Sequence, residues 1–230
     1  MNPPLIAALA LTGLASAWPQ RAIVRHYTAP PTRTLGPDNL TQSTHGPSAS
    51  SASFTRPPTL AIAVVSALLL GALAARVHPG LVLAAACWLA LCSVPLAFID
   101  AVVRRLPDVL TGSAFAGTVL LLLAAAAAGG TWHVLSRAVL GGIALAGCYL
   151  VLVVISPAGM GMGDVKAAAG LGSMLAWRGW SALLVGGLAG FLFAAVYGAA
   201  LLITGRATPK QQIPFGPFMI AGAFLAVLLS

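Results

Sequence analysis

From residue 59 onward the chain is a near-unbroken succession of apolar runs, at 59–75, 81–99, 109–128, 138–155, 167–176, 181–204 and 213–229. Runs of this kind suit membrane-crossing helices, which need roughly 20 mostly apolar residues to span the hydrocarbon. Composition agrees. The 230 residues are 59% hydrophobic and only 7% charged, with a mean hydropathy of +0.97, whereas soluble domains carry about a quarter charged residues. The expected fold is therefore all-α, a polytopic membrane protein whose apolar segments face lipid or one another. A formal charge of +8 is compatible with a nucleic-acid partner, but the twelve Lys and Arg residues are scattered between apolar runs. Membrane topology accounts for them better than a nucleic-acid partner does.

An earlier apolar run at 3–18 brings the number of expected transmembrane segments to about eight, of which the sixth, 167–176, is short for a crossing. Ala15-Ser16-Ala17 resembles a signal-peptide cleavage site. No basic side chain precedes the run, however, and Arg21, Arg25, Arg33 and Arg56 follow it, which favours a retained first span. Residues 19–58 are rich in Pro, Ser, Thr and Gly without apolar periodicity and read as a flexible cytoplasmic loop. His26 and His45 lie in it without partners at metal-ligand spacing. The expected division is thus a first span at 1–18, a loop at 19–58 and a membrane-embedded domain at 59–230.

Threaded with the N-terminus outside, one set of loops holds Arg21, Arg25, Arg33, Arg56, Arg104, Arg105, Lys166, Arg206 and Lys210. The other holds Arg76, Arg137 and Arg178. Nine against three is a strong bias, and it assigns the first set to the cytoplasm. Asp100, Asp108 and Asp164 fall on that same side.

These three and Asp38 are the only acidic residues, since the chain has no glutamate. A carboxylate at the edge of hydrocarbon is costly and marks function by default. Asp164 lies in Ser-Pro-Ala-Gly-Met-Gly-Met-Gly-Asp-Val-Lys, residues 156–166, whose alternate glycines permit positive φ or close approach of another chain. Asp100 ends the run at 81–99. Asp108 follows Pro107 and precedes the run at 109–128, where a helix N-cap belongs. Two carboxylates converging in a poorly hydrated site share a proton, so that one acts as base and the other as acid. Cys87, Cys92 and Cys148 form no Cys-x-x-Cys and are expected as small buried apolar residues. No metal-ligand cluster, Gly-x-Ser-x-Gly elbow or phosphate-binding loop is present, so no metal or cofactor is expected. On residue chemistry alone, an aspartic peptidase and a proton- or ion-coupled transporter using membrane aspartates both stay open.

Three segments bear on that choice. Ile99-Asp100-Ala-Val-Val-Arg-Arg-Leu-Pro-Asp108-Val-Leu-Thr111 resembles the first aspartate motif of the prepilin peptidases, the type IV leader peptidases. Gly161-Met162-Gly163-Asp164-Val165-Lys166 resembles their Gly-x-Gly-Asp motif, and Ile213-Pro-Phe-Gly-Pro-Phe218 resembles the Pro-Phe-Gly-Pro segment ahead of the last span. The resemblance covers about residues 59–230. It implies catalytic aspartates at Asp100 and Asp164, with Gly161 and Gly163 as a flexible approach to the scissile backbone. It implies a membrane aspartic endopeptidase of the bacterial inner membrane, which removes the basic leader of type IV prepilins or type II secretion pseudopilins at the cytoplasmic face. Longer members carry paired Cys-x-x-Cys motifs between the first two spans, associated with methylating the new N-terminus. Residues 19–58 contain no cysteine, so methyltransferase activity is expected to be absent. Lys166 is expected either as an interfacial anchor or as a charge that keeps one aspartate ionised. The sequence leaves the oligomeric state and the particular pilin open.

Overall fold

The computed structural model describes residues 3–28, 59–103, 106–155, 161–205 and 214–230. Among them are eight α-helices and no strand: α1 (Pro3–Thr28), α2 (Thr59–Arg76), α3 (Leu81–Val103), α4 (Asp108–Gly129), α5 (Trp132–Ile155), α6 (Met162–Arg178), α7 (Trp180–Ile203) and α8 (Gly216–Leu229). A helix satisfies its backbone groups internally, which is the condition for entering hydrocarbon. Five helices, α2, α3, α4, α5 and α7, are long and apolar enough to cross a membrane. The all-α polytopic expectation holds. The sixth helix is longer than its apolar run, because it takes in Met162, Gly163 and Asp164 at its start and Arg178 at its end.

The helix α3 is the core. Two thirds (67%) of its most apolar window is buried, against 28% or less in the other four long helices. Its faces therefore read as continuously apolar, and both Cys87 and Cys92 are buried on it. Cys148 departs from expectation. It is exposed on α5, since in a membrane protein an apolar position can face lipid as readily as the interior.

Helices pack closely through small residues, the usual device where lipid removes any hydrophobic preference for helix contact. The α5–α6 pair meets at glycines on both sides. A Cβ added to Gly142 would lie 2.8 Å from the Ala169 carbonyl oxygen, and one on Gly172 would lie 2.8 Å from that of Gly141. The Gly186 and Gly190 pair receives α8 as its spacing suggests, with Gly222 pressed against the Gly186 carbonyl. After α4, Gly130 takes a left-handed conformation (φ 65°) and returns its N–H to Ala126 O, turning the chain into α5.

The first helix corrects one boundary. Residues 19–28 were expected in the loop, yet α1 runs through Pro19 to Thr28. The reason is a buried stripe, Gly13, Ala17, Gln20, Val24 and Thr28, at helical spacing. Gln20 is polar and was invisible to an apolar count. Its Oε1 accepts a bond from Ser66 Oγ of α2 (3.0 Å), and its Nε2 donates to Ser16 Oγ (3.1 Å). Further along, Val24 packs with Ile62, Val94 and Ile99. The remaining loop residues, 29–58, lie outside the described residues.

Helix ends sort into two levels. Arg137 of α5 donates from Nε and Nη2 to the carbonyls of Ala176 and Trp177 (both 2.7 Å), satisfying orphan acceptors at the C-terminus of α6. Arg178 donates to Ser230 Oγ at the end of α8 (3.1 Å). The opposite level gathers the end of α3 and the starts of α4, α6 and α8, and that is where the aspartates lie.

Candidate active site

Asp100 occupies the last turn of α3 and is 4% exposed. The helix continues three residues past it to Val103, so it lies within α3 rather than at its mouth. Its Oδ2 accepts a hydrogen bond from the Gly216 N–H at 2.9 Å. That N–H belongs to the first turn of α8 and has no intrahelical acceptor, and a helix N-terminus favours a negative charge beside it. Pro217 follows directly, at a position where its missing N–H costs nothing. Gly216 is glycine for a steric reason, because a Cβ there would sit 2.8 Å from Asp100 Oδ2. The Pro-Phe-Gly-Pro segment therefore does a definite job: it brings a bare backbone donor to the first aspartate.

Asp164 is the third residue of α6 and is 5% exposed. Its Oδ2 accepts the Gly161 N–H at 3.1 Å, reaching back to the residue that precedes the helix. Gly161 is extended (φ −94°, ψ 157°) and Gly163 is helical, so neither takes the positive φ that their sequence context suggests. What Gly163 supplies is close approach. A Cβ on it would meet Leu106 Cβ at 2.7 Å and the Leu106 carbonyl oxygen at 3.2 Å. The segment leaving α3 thus lies directly against the start of α6, which draws the two aspartate-bearing elements together. Burial pushes the Asp164 pKa up to about 6, with the Gly161 N–H pulling it down and the charge of Asp100 pushing it further up.

An aromatic cluster packs against the residue that precedes α8. Tyr149 of α5 is fully buried, with ring centroids 5.3 Å from Phe191 of α7 and 5.6 Å from Phe215, while Phe191 and Phe215 are 5.1 Å apart. Phe215 immediately precedes the Gly216 donor, so this packing fixes where α8 begins.

Two other expected residues are placed elsewhere. Asp108 was expected as the N-cap of α4, but that position is taken by Pro107, and Asp108 makes no capping bond. Its Oδ1 instead accepts Lys166 Nζ at 2.7 Å. Both side chains are substantially exposed, so the pair is a clasp between α4 and α6 of at most about 1 kcal/mol. Lys166 is thereby engaged with Asp108 rather than with Asp100 or Asp164. Arg104, Arg105 and residues 156–160 lie outside the described residues. Sequence reading had no grounds for Gly216, Leu106 or Tyr149, although the Pro-Phe-Gly-Pro motif pointed to the neighbourhood of the first. Among the described residues, no three His, Cys, Asp or Glu side chains come together as metal ligands. What the arrangement offers is two buried carboxyl groups on separate helices, one beside a helix N-terminus and one inclined to keep its proton.

The model of the type IV leader peptidase family matches residues 83–203, which include both aspartates. The chain is 35% identical over 175 residues to a prepilin leader peptidase/N-methyltransferase of Aeromonas salmonicida (strain A449), covering 73% of this chain and 56% of that protein. It is 39% identical over 170 residues to one of Burkholderia pseudomallei (strain K96243), covering 68% and 49%. It is 40% identical over 68 residues to the leader peptidase HopD of Salmonella typhimurium, covering 29% and 42%. The chain thus spans about half the length of the curated prepilin peptidases it matches most extensively. No solved structure matches it. With the family model covering more than half of its residues, the chain belongs to the type IV leader peptidase family.

Proposed function

We propose that this protein is a membrane aspartic endopeptidase that cleaves the leader of type IV prepilins or type II secretion pseudopilins, with Asp100 and Asp164 as its catalytic pair. The observation that carries the reading is that two carboxyl groups, one from α3 and one from α6, are buried at the same end of the bundle, where Gly163 lies against Leu106. Family membership supports it, as do the names of the relatives.

Asp100, next to the Gly216 N–H and the N-terminus of α8, is suited to the negative charge of a general base. Asp164, with its raised pKa, is suited to hold the shared proton as general acid. Asp100 takes a proton from water as the water oxygen bonds to the scissile carbonyl carbon, and Asp164 gives its proton to the carbonyl oxygen. Collapse of the resulting diol returns that proton to Asp164 and breaks the C–N bond. The leaving amine takes its proton from Asp100, and both residues end as they began.

Nine basic residues against three support a cytoplasmic position for this end of the bundle, in the inner membrane of a bacterium. The absence of cysteine from residues 19–58 supports peptidase activity without N-methylation. The test is co-expression of a prepilin with Asp100→Asn or Asp164→Asn. Each variant should reach the membrane in normal amount and leave the prepilin uncut, whereas normal cleavage by either would overturn the pair. Loss of proton or solute flux in proteoliposomes, with cleavage intact, would point to transport instead. Mass spectrometry of pilin cut by the wild-type protein in the presence of S-adenosylmethionine should find a free α-amine, and a methylated one would refute the restriction to peptidase activity.

A further inference from the structure

Tyr149 is fully buried, and its hydroxyl has no hydrogen-bond partner among the described residues. Asp164 Oδ1 is likewise buried and without a partner there. Leaving a buried donor and a buried acceptor both unsatisfied is costly, so two such atoms in one region call for a common explanation. They are in one region. The α5–α6 register, set by Gly142 against Ala169 and by Leu145 against Gly172, brings Tyr149 level with the first turns of α6. Phe215 lies against the Tyr149 ring and next to Gly216, the donor to Asp100. The ring itself is held by Phe191 and Phe215, so the hydroxyl has little freedom to look elsewhere.

From this geometry we infer that Tyr149 is a positioning residue for the acid pair: its hydroxyl donates to a bridging water that in turn donates to Asp164 Oδ1, while Gly161 N–H holds Oδ2. The carboxyl group is then fixed at both oxygens. Gly161 sets one from the start of its own helix, and Tyr149 sets the other from the neighbouring helix. Buried waters commonly bridge otherwise unsatisfied groups in this way. A phenol suits the task because it donates without bringing a charge that would compete with the shared proton. The inference rests on Asp164 being catalytic.

The experiment is steady-state cleavage of a prepilin by the purified full chain in lipid nanodiscs, comparing wild type with Tyr149→Phe and Tyr149→Leu, alongside thermal unfolding of each. Tyr149→Phe keeps the ring between Phe191 and Phe215 and removes only the hydroxyl. Its kcat should fall about tenfold or more, as expected for losing a hydrogen bond to an ionisable group, with KM and melting temperature essentially unchanged. Tyr149→Leu should lose activity and also melt lower, because it removes the packing as well. A Tyr149→Phe variant with wild-type kcat, or one whose loss is matched by a lowered melting temperature, would overturn the inference. If Asp164→Asn is inactive while Tyr149→Phe is normal, only the role of Tyr149 fails. If Asp164→Asn itself cleaves normally, the catalytic reading fails first.

Discussion

Replacing Gly216 with alanine probes the link between the last helix and the first aspartate. The added Cβ would fall 2.8 Å from Asp100 Oδ2, 3.2 Å from its Cγ and 3.3 Å from its Cβ. The first of these is closer than such atoms tolerate, so the carboxylate or the start of α8 must retreat. Either movement stretches the 2.9 Å bond from the Gly216 N–H. A hydrogen bond to a charged group contributes about 1.5–3 kcal/mol. If the bond serves the transition state, its loss corresponds to roughly a ten- to hundredfold fall in kcat. Folding should change much less, because alanine is the better helix former by up to about 1 kcal/mol and offsets part of the strain. The assay is cleavage of a prepilin by purified protein, with melting measured on the same preparation. A Gly216→Ala variant that cleaves at the wild-type rate would refute the claim that this backbone donor positions Asp100.

Three further outcomes are expected. Asp108→Asn and Asp108→Ala should both cleave normally and cost at most about 1 kcal/mol, because each loses only an exposed pair with Lys166 and no helix cap; inactivity of Asp108→Asn in the same assay would make Asp108 the partner of Asp164. Asp164→Asn should stabilise the protein above pH 6. Burial raises the Asp164 pKa from 3.8 to about 6, so the folded state binds the proton more tightly than the unfolded one. The stability tied to that proton is full below about pH 4 and lost as pH rises through 6, an effect on the order of 3 kcal/mol. Equal melting temperatures of the variant and wild type at pH 8 would contradict this. A cysteine placed at Ser156, in a background lacking Cys87, Cys92 and Cys148, should react with impermeant thiol reagents only from the cytoplasmic side, and labelling in intact cells would reverse the threading.

Much of this protein is legible along the chain. Long apolar runs leave the backbone no option in lipid but to bond within itself, so runs become helices almost regardless of what they pack against. That is why α2 and α7 begin and end within a residue or so of their apolar runs. Scarcity makes the acids legible too, since with four carboxylates in 230 residues each one is conspicuous. Contacts across the bundle are another matter. The Asp100–Gly216 bond joins residues 116 apart, and the Lys166–Asp108 pair joins residues 58 apart. No local pattern announces that a glycine just before a proline will present its N–H to a distant aspartate. Nor does one announce that Asp108, well placed for a cap, will turn to a lysine instead. Polar residues in apolar surroundings mislead in the same way. Gln20 looked like the start of a loop until Ser66 of the neighbouring helix supplied its partner. Tyr149 sits in an apolar run with nothing along the chain to set it apart, yet its hydroxyl is buried and without a hydrogen-bond partner among the described residues. Helix formation depends on each residue's own surroundings in the bilayer, and those are written in sequence. A site depends on which helix ends meet, and that was decided by small-residue contacts such as Gly163 on Leu106, whose partners only the packed bundle brings together.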